Sequence, residues 1–319
     1  MKSEAVQFHD AEPGTASLLA EVLAGLARKP KSIPPKFFYD ERGSKLFDQI
    51  CEQPEYYPTR TETDILQTHA SDMAEWVGPG AMLVELGSGA SRKVRLLLES
   101  LRPAAYLGMD ISRDFLLEST GRLAADYPWL EVHAACVDFS AQLDLPGSAT
   151  HYRKVAFFPG SSIGNFEPDA AQRFLEQIRA VVGSDGGLLI GVDLKKDPAM
   201  LNAAYNDARG ITAEFNLNLL RRIRDELDSD VVVERFRHHA FYNESHGRVE
   251  MHLVSDRAQH VRVAGQRFPF AAGESIHTES SYKYSIEEFQ RLAERAGFAS
   301  RRVWTDPRRL FSVQYLVRD

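Results

Sequence analysis

Met82-Leu-Val-Glu-Leu-Gly-Ser-Gly-Ala-Ser91 is the stretch that most restricts what this chain can fold into. Met82 to Leu86 is a short apolar run with one acid in it. Gly87 and Gly89 follow at once, and Lys93 to Leu101 then repeats apolar residues at helical spacing. Strand, glycine turn and helix form the opening unit of a nucleotide-binding α/β sheet. The two glycines let the backbone turn tightly and come close to a ligand. The third position of the dinucleotide fingerprint G-x-G-x-x-G is Arg92 rather than glycine, which counts against a pyrophosphate packed on the helix. A ligand with a nucleoside and no phosphate stays open, as does a plain glycine turn in an unrelated α/β sheet.

The residues after this unit repeat its pattern. Ala105 to Ile111 reads as a second strand ending at Asp110, about twenty residues past the glycines, where an acid binds ribose hydroxyls. Leu130 to Cys136 reads as a third strand, closed by Asp138 and Phe139. Either aspartate alone reads as a turn or cap residue; two at the matching strand ends make a stronger joint case. Lys154 to Pro168 is a fourth strand and its loop. Gly160, Ser161, Gly164 and Asn165 there offer small residues, backbone N–H groups and one amide at the carboxyl edge, where open α/β sheets bind ligands. Gly187 to Leu194 is a fifth strand. Ile286 to Ala296 reads as an amphipathic helix, with strands at Ala299–Asp306 and Leu310–Arg318.

Between these parts the character changes. Ala199 to Leu227 reads as one or two helices containing Tyr205. Val231 to Tyr242 and Arg248 to Ser255 read as a hairpin around Asn243 to Gly247, with more strand and turn to Gly273. Tyr39, Tyr56 and Tyr57 sit in segments broken by glycine and proline. Tyrosine, with an apolar body and a polar tip, suits a small-ligand pocket, but on the residues alone ordinary half-buried tyrosines are favoured. His238, His239, His246 and His252 fall within fifteen residues. Their spacing gives no obvious tetrahedral site and no cysteine joins them, so solvated hairpin histidines and no metal are expected.

Composition narrows the partners. The chain has 319 residues, 44% hydrophobic and 26% charged, the balance of a soluble globular protein. Its formal net charge of −7 disfavours a nucleic-acid substrate. Cys51 and Cys136 form neither a disulfide framework nor a zinc motif, which fits a reducing compartment. Residues 1–14 are polar and expected to fray, without the pattern of a signal peptide. No apolar run approaches a membrane span. The expectation is a cytoplasmic protein, a monomer acting on a small molecule.

Acid-Leu-Gly-x-Gly is the first motif of S-adenosylmethionine (SAM) methyltransferases, and the whole chain from Pro34 resembles one family among them: the histidine-specific SAM-dependent methyltransferases. The resemblance rests on PPKFFYDERGSKLFDQI, PEYYPTRTE, ELGSGASRK, FFPGSSIGNF, the Asp193/Lys195/Asp197 run through Tyr205, and IHTESSYKY, in that order. It implies a class I, Rossmann-like methyltransferase fold: a seven-stranded sheet ending in an antiparallel hairpin, with a second α+β substrate-binding lobe. The SAM-binding domain would be 61–195 plus 283–319, and the substrate-binding domain 1–60 plus 196–282. The implied reaction is trimethylation of the L-histidine α-amino group to hercynine, the first step of ergothioneine biosynthesis, with S-adenosylhomocysteine as the other product.

Residue by residue, the resemblance puts Tyr56, Asn165 and Tyr205 on the amino acid's carboxylate and amine, with Tyr39 and Gly160 near the amine. Tyr39, through water, and Asn165 would serve the chemical step. Glu279 and Ser281 would read the imidazole, with Met251 on the pocket wall. Gly87, Lys93, Asp110, Asp138 and Phe139 would hold SAM. Two alternatives stand beside this reading: the same chemistry on another amino acid or a histidine-like amine, and a SAM-binding regulatory protein without catalysis.

Overall fold

A computed structural model describes residues 6–11, 15–138, 143, 145 and 151–319. The strands are β1 Gln7–Ala11, β2 Lys31–Ser32, β3 Ala81–Leu86, β4 Ala105–Asp110, β5 Glu131–Val137, β6 Arg153–Phe158 and β7 Gly187–Asp193. They continue with β8 Phe236–Asn243, β9 Arg248–Ser255, β10 Gln259–Val263, β11 Gln266–Phe270, β12 Ser275–Tyr282, β13 Phe298–Thr305 and β14 Phe311–Arg318. The helices are α1 Thr15–Ala27, α2 Glu41–Cys51, α3 Tyr57–Val77, α4 Arg92–Leu101, α5 Arg113–Asp126, α6 Pro168–Val182, α7 Pro198–Ala204, α8 Ile211–Glu226 and α9 Ile286–Arg295. Two compact units result: Met1–Pro13, Pro58–Lys195 and Lys283–Asp319 form one, Gly14–Tyr57 and Lys196–Tyr282 the other. Among the described residues no helix is long and apolar enough to cross a membrane.

The first unit is built on an eight-stranded sheet in the order β1-β5-β4-β3-β6-β7-β14-β13. β1 through β7 in that order are parallel, and β14 and β13 are antiparallel additions. β3 is buried along its whole length, as a central parallel strand covered on both faces must be, which is why its sequence is an apolar run and not an alternation. From β3 the chain goes to β4 on one side and later to β6 on the other. The carboxyl end of β3 is therefore a topological switch point, the place such sheets bind ligands. Leu83, Val155, Phe157 and Leu189 of the sheet pack with Leu66 and Met73 of α3 and Val94, Leu97 and Leu98 of α4. Each such side chain contributes roughly 1.5–3 kcal/mol on burial.

The sheet has eight strands where seven are expected, and the difference is β1. Residues read as frayed, and as part of the second lobe, instead carry an edge strand of the first unit, Gln7 opposite His133 through Ala11 opposite Val137. Five residues of mixed polarity on an edge show no clear alternation, so their pattern is indistinguishable from coil.

The second unit has a four-stranded sheet in the order β2-β12-β9-β8, and a separate ribbon of β10 and β11. α8 lies on this sheet and buries Phe215, Asn216, Leu219, Leu220 and Ile223. Much of the motif at 34–50 serves this packing. Phe38 stacks 4.6 Å from Phe215. Asp40 caps α2 by accepting the Gly43 N–H at 2.7 Å and also accepts the Asn218 amide of α8 at 2.8 Å. A Cβ at Gly43 would lie 1.6 Å from the Phe38 carbonyl oxygen, so only glycine fits there.

One acid sits inside the first unit's core. Burial pushes the Glu85 carboxyl on β3 up to about 8, although the Tyr106 hydroxyl donates to it at 2.6 Å. A folded-state pKa above the unfolded one gives stability that is complete below the unfolded value of 4.5 and is lost as pH rises through about 8. Urea midpoints of the wild type should therefore fall relative to Glu85→Gln between about pH 5 and about pH 9. Parallel pH curves for the two proteins would show that Glu85 ionises normally.

Candidate active site

In the first unit three predicted residues stand at the carboxyl ends of three neighbouring strands: Gly87 after β3, Asp110 closing β4 and Asp138 just past β5. Gly87 and Gly89 take φ values of 72° and 48°, which a side chain would strain. The turn is tied to β4. The Gly87 and Ser88 N–H groups donate to the Met109 carbonyl at 2.9 and 3.0 Å. The Asp110 carboxylate accepts the Gly89 N–H at 2.8 Å and the Ser112 N–H at 3.0 Å. Burial raises the Asp110 pKa and these backbone donors oppose it. A carboxylate has about four acceptor positions, so capacity for a ligand hydroxyl remains beside the backbone donors Gly89, Ile111 and Ser112. Among the described residues nothing lies within 4 Å of where a Cβ of Gly89 would be. This donor set fits a nucleoside. Phe139 lies outside the described residues.

Lys93, Gly160 and the loop after β6 meet on a residue that carries no expected role. Glu62 of α3 is wholly buried, and its carboxylate lies 2.6 Å from the Lys93 ammonium. The Gly160 N–H donates to both of its oxygens, at 3.0 and 2.9 Å. Gly191 on β7 touches the same group: a Cβ there would stand 2.0 Å from Glu62 Oε1. Ser161, with φ of 57°, follows Gly160 and accepts the Asp193 N–H at 2.9 Å. That strained turn leads into the short helical turn Ser162–Asn165. Asn165 is half-buried there, and its amide makes no hydrogen bond among the described residues. Glu62 closes the motif PEYYPTRTE, and that position was the available signal for it.

The second unit gathers the other predicted residues. Tyr39 packs edge-on to Phe47 at 5.7 Å, Phe47 to Tyr56 at 6.4 Å, and Tyr56 to Tyr205 at 6.2 Å. The Tyr205 hydroxyl donates to Ser281 Oγ at 2.8 Å. Glu279 and Ser281 are both buried on β12, and Met251 of β9 is the direct cross-strand partner of Glu279. Burial, then the neighbouring Tyr205, Cys51, Glu279 and Tyr39, push the Tyr56 hydroxyl well above its ordinary pKa. Tyr56 is thus a neutral donor. Phe47, the spacer in this aromatic chain, was not foreseen.

The histidines divide. His239 and His246 are exposed, as expected, whereas His238 and His252 are held by hydrogen bonds. His239, His252 and His277 stand in one row across β8, β9 and β12. Beside them, burial pulls the Glu250 carboxyl up, but His252, Arg248 and Asn243 bring it down to about 2. Ligand atoms of Glu250, His252 and His277 lie within 4.8 Å of one another, with Arg248 Nε already 2.9 Å from the carboxylate.

A family model described as histidine-specific methyltransferase, SAM-dependent, matches residues 18–318. The histidine N-alpha-methyltransferase of Mycolicibacterium smegmatis is 41% identical over 315 residues, covering 97% of each chain. Ergothioneine biosynthesis protein 1 of Neurospora crassa is 36% identical over 285 residues, 86% of this chain and 32% of that protein. A 4-dimethylallyltryptophan N-methyltransferase of Claviceps purpurea is 26% identical over 318 residues, 91% of this chain and 92% of that one.

The packing of Gly191 on Glu62 makes a direct prediction. Gly191→Ala drives a methyl group into a buried, ion-paired carboxylate and should destabilise the protein by about 1–3 kcal/mol or more. Chemical denaturation measures it; an unchanged midpoint would mean that Glu62 leaves its place without cost.

Proposed function

The chain belongs to the histidine-specific SAM-dependent methyltransferase family, and on that premise we propose that it methylates the α-amino group of L-histidine three times, giving hercynine for ergothioneine biosynthesis. It is a SAM-dependent methyltransferase. The observation that carries the substrate reading is the grouping of Tyr39, Tyr56, Tyr205, Met251, Glu279 and Ser281 within one unit.

SAM, when bound, supplies an electrophilic methyl group on a sulfonium. In this reading Gly87, Lys93, Asp110, Asp138 and Phe139 hold it. The chain's own residues must then align a neutral amine. Alignment contributes up to about 7–11 kcal/mol for well-oriented reactants. A peptide α-amino group has a pKa near 8 and a free amino acid's is higher, so a minor neutral fraction exists at cellular pH without a strong base. Tyr39 relays the released proton through water. In the second unit Tyr56 serves the head group, donating from a hydroxyl that burial keeps protonated; in the first unit the family resemblance gives Asn165 a head-group role. The amide of Asn165 and the small Gly160 leave room for the amine.

The imidazole is read by complementary partners. Glu279 accepts from the ring N–H. Ser281 accepts from Tyr205, which turns its own proton toward the other ring nitrogen. Tyr205 therefore acts on the head group through its position and on the ring through Ser281. An apolar side chain would offer the buried Glu279 carboxylate no N–H in place of the ring's, a costly exchange. Action in the cytoplasm, as a monomer on a small molecule and without a metal, completes the proposal, and the net charge of −7 speaks against a nucleic-acid substrate.

Two measurements test these roles. Asp110→Ala should weaken SAM binding by about 1.5–3 kcal/mol, since the lost acceptor is charged; unchanged affinity by calorimetry would remove the acid from the ribose. Glu279→Ala should depress kcat/KM for histidine by roughly 10²- to 10⁴-fold and narrow its lead over phenylalanine and tryptophan. Ser281→Ala should lose less, about 0.5–1.5 kcal/mol. An unaltered preference ratio in Glu279→Ala would place the imidazole reader elsewhere.

A further inference from the structure

α8 is a core helix, and the position its pattern reserves for an apolar side chain holds Asn216, which is 0% exposed. Asparagine is a poor helix former, and a buried amide is costly unless every polar atom is satisfied. Here every one is. Asn216 Nδ2 lies 2.9 Å from His238 Nδ1 and donates to the His252 carbonyl at 3.1 Å. Asn216 Oδ1 accepts from Thr278 Oγ1 at 2.8 Å. Because Nδ2 is a donor, His238 Nδ1 must be the acceptor nitrogen. His238 then carries its proton on Nε2 and donates it to the Tyr205 carbonyl at 3.0 Å. Burial, the largest cause, holds the His238 pKa below its usual value, which keeps this neutral form.

Thr278 is the other end of the network. It is the extra residue of a β-bulge: His277 pairs with His252, and the next pair is Glu279 with Met251. A bulge re-aims the side chains that follow it. In a regular strand His277, Glu279 and Ser281 would share one face. Instead His277 Nε2 lies 3.2 Å from Ser280 Oγ, while Ser281 faces Tyr205. The bulge decides that Glu279 and Ser281 point toward the tyrosines, and Thr278 Oγ1 fixes it to α8, with the Met251 carbonyl 3.0 Å away as a second acceptor. The hydrogen bonds close a ring: Tyr205 carbonyl, His238, Asn216, Thr278, then along β12 to Ser281 and back to the Tyr205 hydroxyl.

We propose that Asn216 is the positioning residue of the amino-acid site, setting substrate preference by locking the Thr278 bulge on one side and the Tyr205 main chain, through His238, on the other. The inference rests on the histidine reading given above. A core that needed only stability would take leucine here. The amide instead fixes two recognising elements from one atom group, in the manner of a support that holds contact residues within a fraction of an ångström.

The test compares wild type, Asn216→Leu, Thr278→Val and Thr278→Ser with SAM and L-histidine or L-phenylalanine. Thr278→Val keeps the branched shape and removes the hydroxyl, whereas Thr278→Ser keeps the hydroxyl. Asn216→Leu and Thr278→Val should raise the histidine KM about tenfold or more and shrink the histidine-to-phenylalanine ratio of kcat/KM, with SAM affinity by calorimetry within about twofold of wild type. Thr278→Ser should keep wild-type values, a rescue that a purely steric role would not require. Should Asn216→Leu fail to fold, the Thr278 pair still decides. A folded Thr278→Val with wild-type KM and ratio overturns the positioning role. If Glu279→Ala alters the ratio in the same assay, that result leaves the histidine reading standing. A wild type that does not turn over histidine overturns the reading and this inference together.

Discussion

A buried carboxylate governs the first unit. Glu62 has no solvent, and a lone ionised group so placed would cost several kcal/mol. The ion pair with Lys93 and two contacts from the Gly160 N–H offset that cost, and each of these partners is thereby fixed. Lys93 belongs to the helix after the glycine turn. Gly160 begins the loop after β6. Gly191 lies on β7 and must be bare to let the carboxylate in. One group on α3 thus sets the spacing of three elements around the switch point. The motif ending in Glu62, the glycine motif and the loop motif are one interaction read in three places along the chain.

The fold was legible where burial is strong. The parallel strands appear as apolar runs because both faces are covered, and their ends follow from the glycine and aspartate positions. The terminal hairpin was equally plain. β1 was not, because five edge residues carry no pattern. Of the candidate site, the backbone-determined members were readable from chemistry alone: Gly87 and Gly89 sit where turn geometry demands, and Asp110 closes β4 at the spacing from the glycines where an acid was expected. Tyr39, Tyr56, Tyr205 and Glu279 were not. A tyrosine in a broken segment or a lone glutamate has no local signature, and only the resemblance singled them out. Glu62 and Asn216 escaped because their partners are distant in sequence, and periodicity reports only near neighbours.

The motif residues divide by task in a way their proximity conceals. In the run from Asp193 to Asp197, no member needs to touch a ligand to be required. Asp193 pairs with Lys283 at 2.9 Å, both side chains 1% exposed. Lys195 pairs with Glu288 at 2.6 Å, and Asp197 caps α7 by accepting the Ala199 N–H at 2.8 Å. Likewise Asp40 and Gly43 shape α2, while Tyr39 and Phe47 of that motif join the aromatic chain. A motif match therefore vouches for architecture more broadly than for contact.

The Asp193–Lys283 pair also explains how a second unit can be inserted without loosening the first. The chain leaves the sheet domain after Lys195 and returns at Lys283. At that point the Lys195 N–H donates to the Tyr284 carbonyl at 2.9 Å, and the Tyr284 N–H donates to the Asp193 carbonyl at 3.3 Å. Leaving and returning strands are thus paired backbone to backbone, with a buried ion pair across them. Closure entropy grows only with the logarithm of loop length, so an insertion whose ends are already joined costs the sheet little, whatever its size. Removing either charge would break a buried ion pair, a far larger penalty than an exposed pair would carry. The ends of the insertion are fixed by the first unit's own chemistry, and the inserted residues are left to their own packing and to recognition.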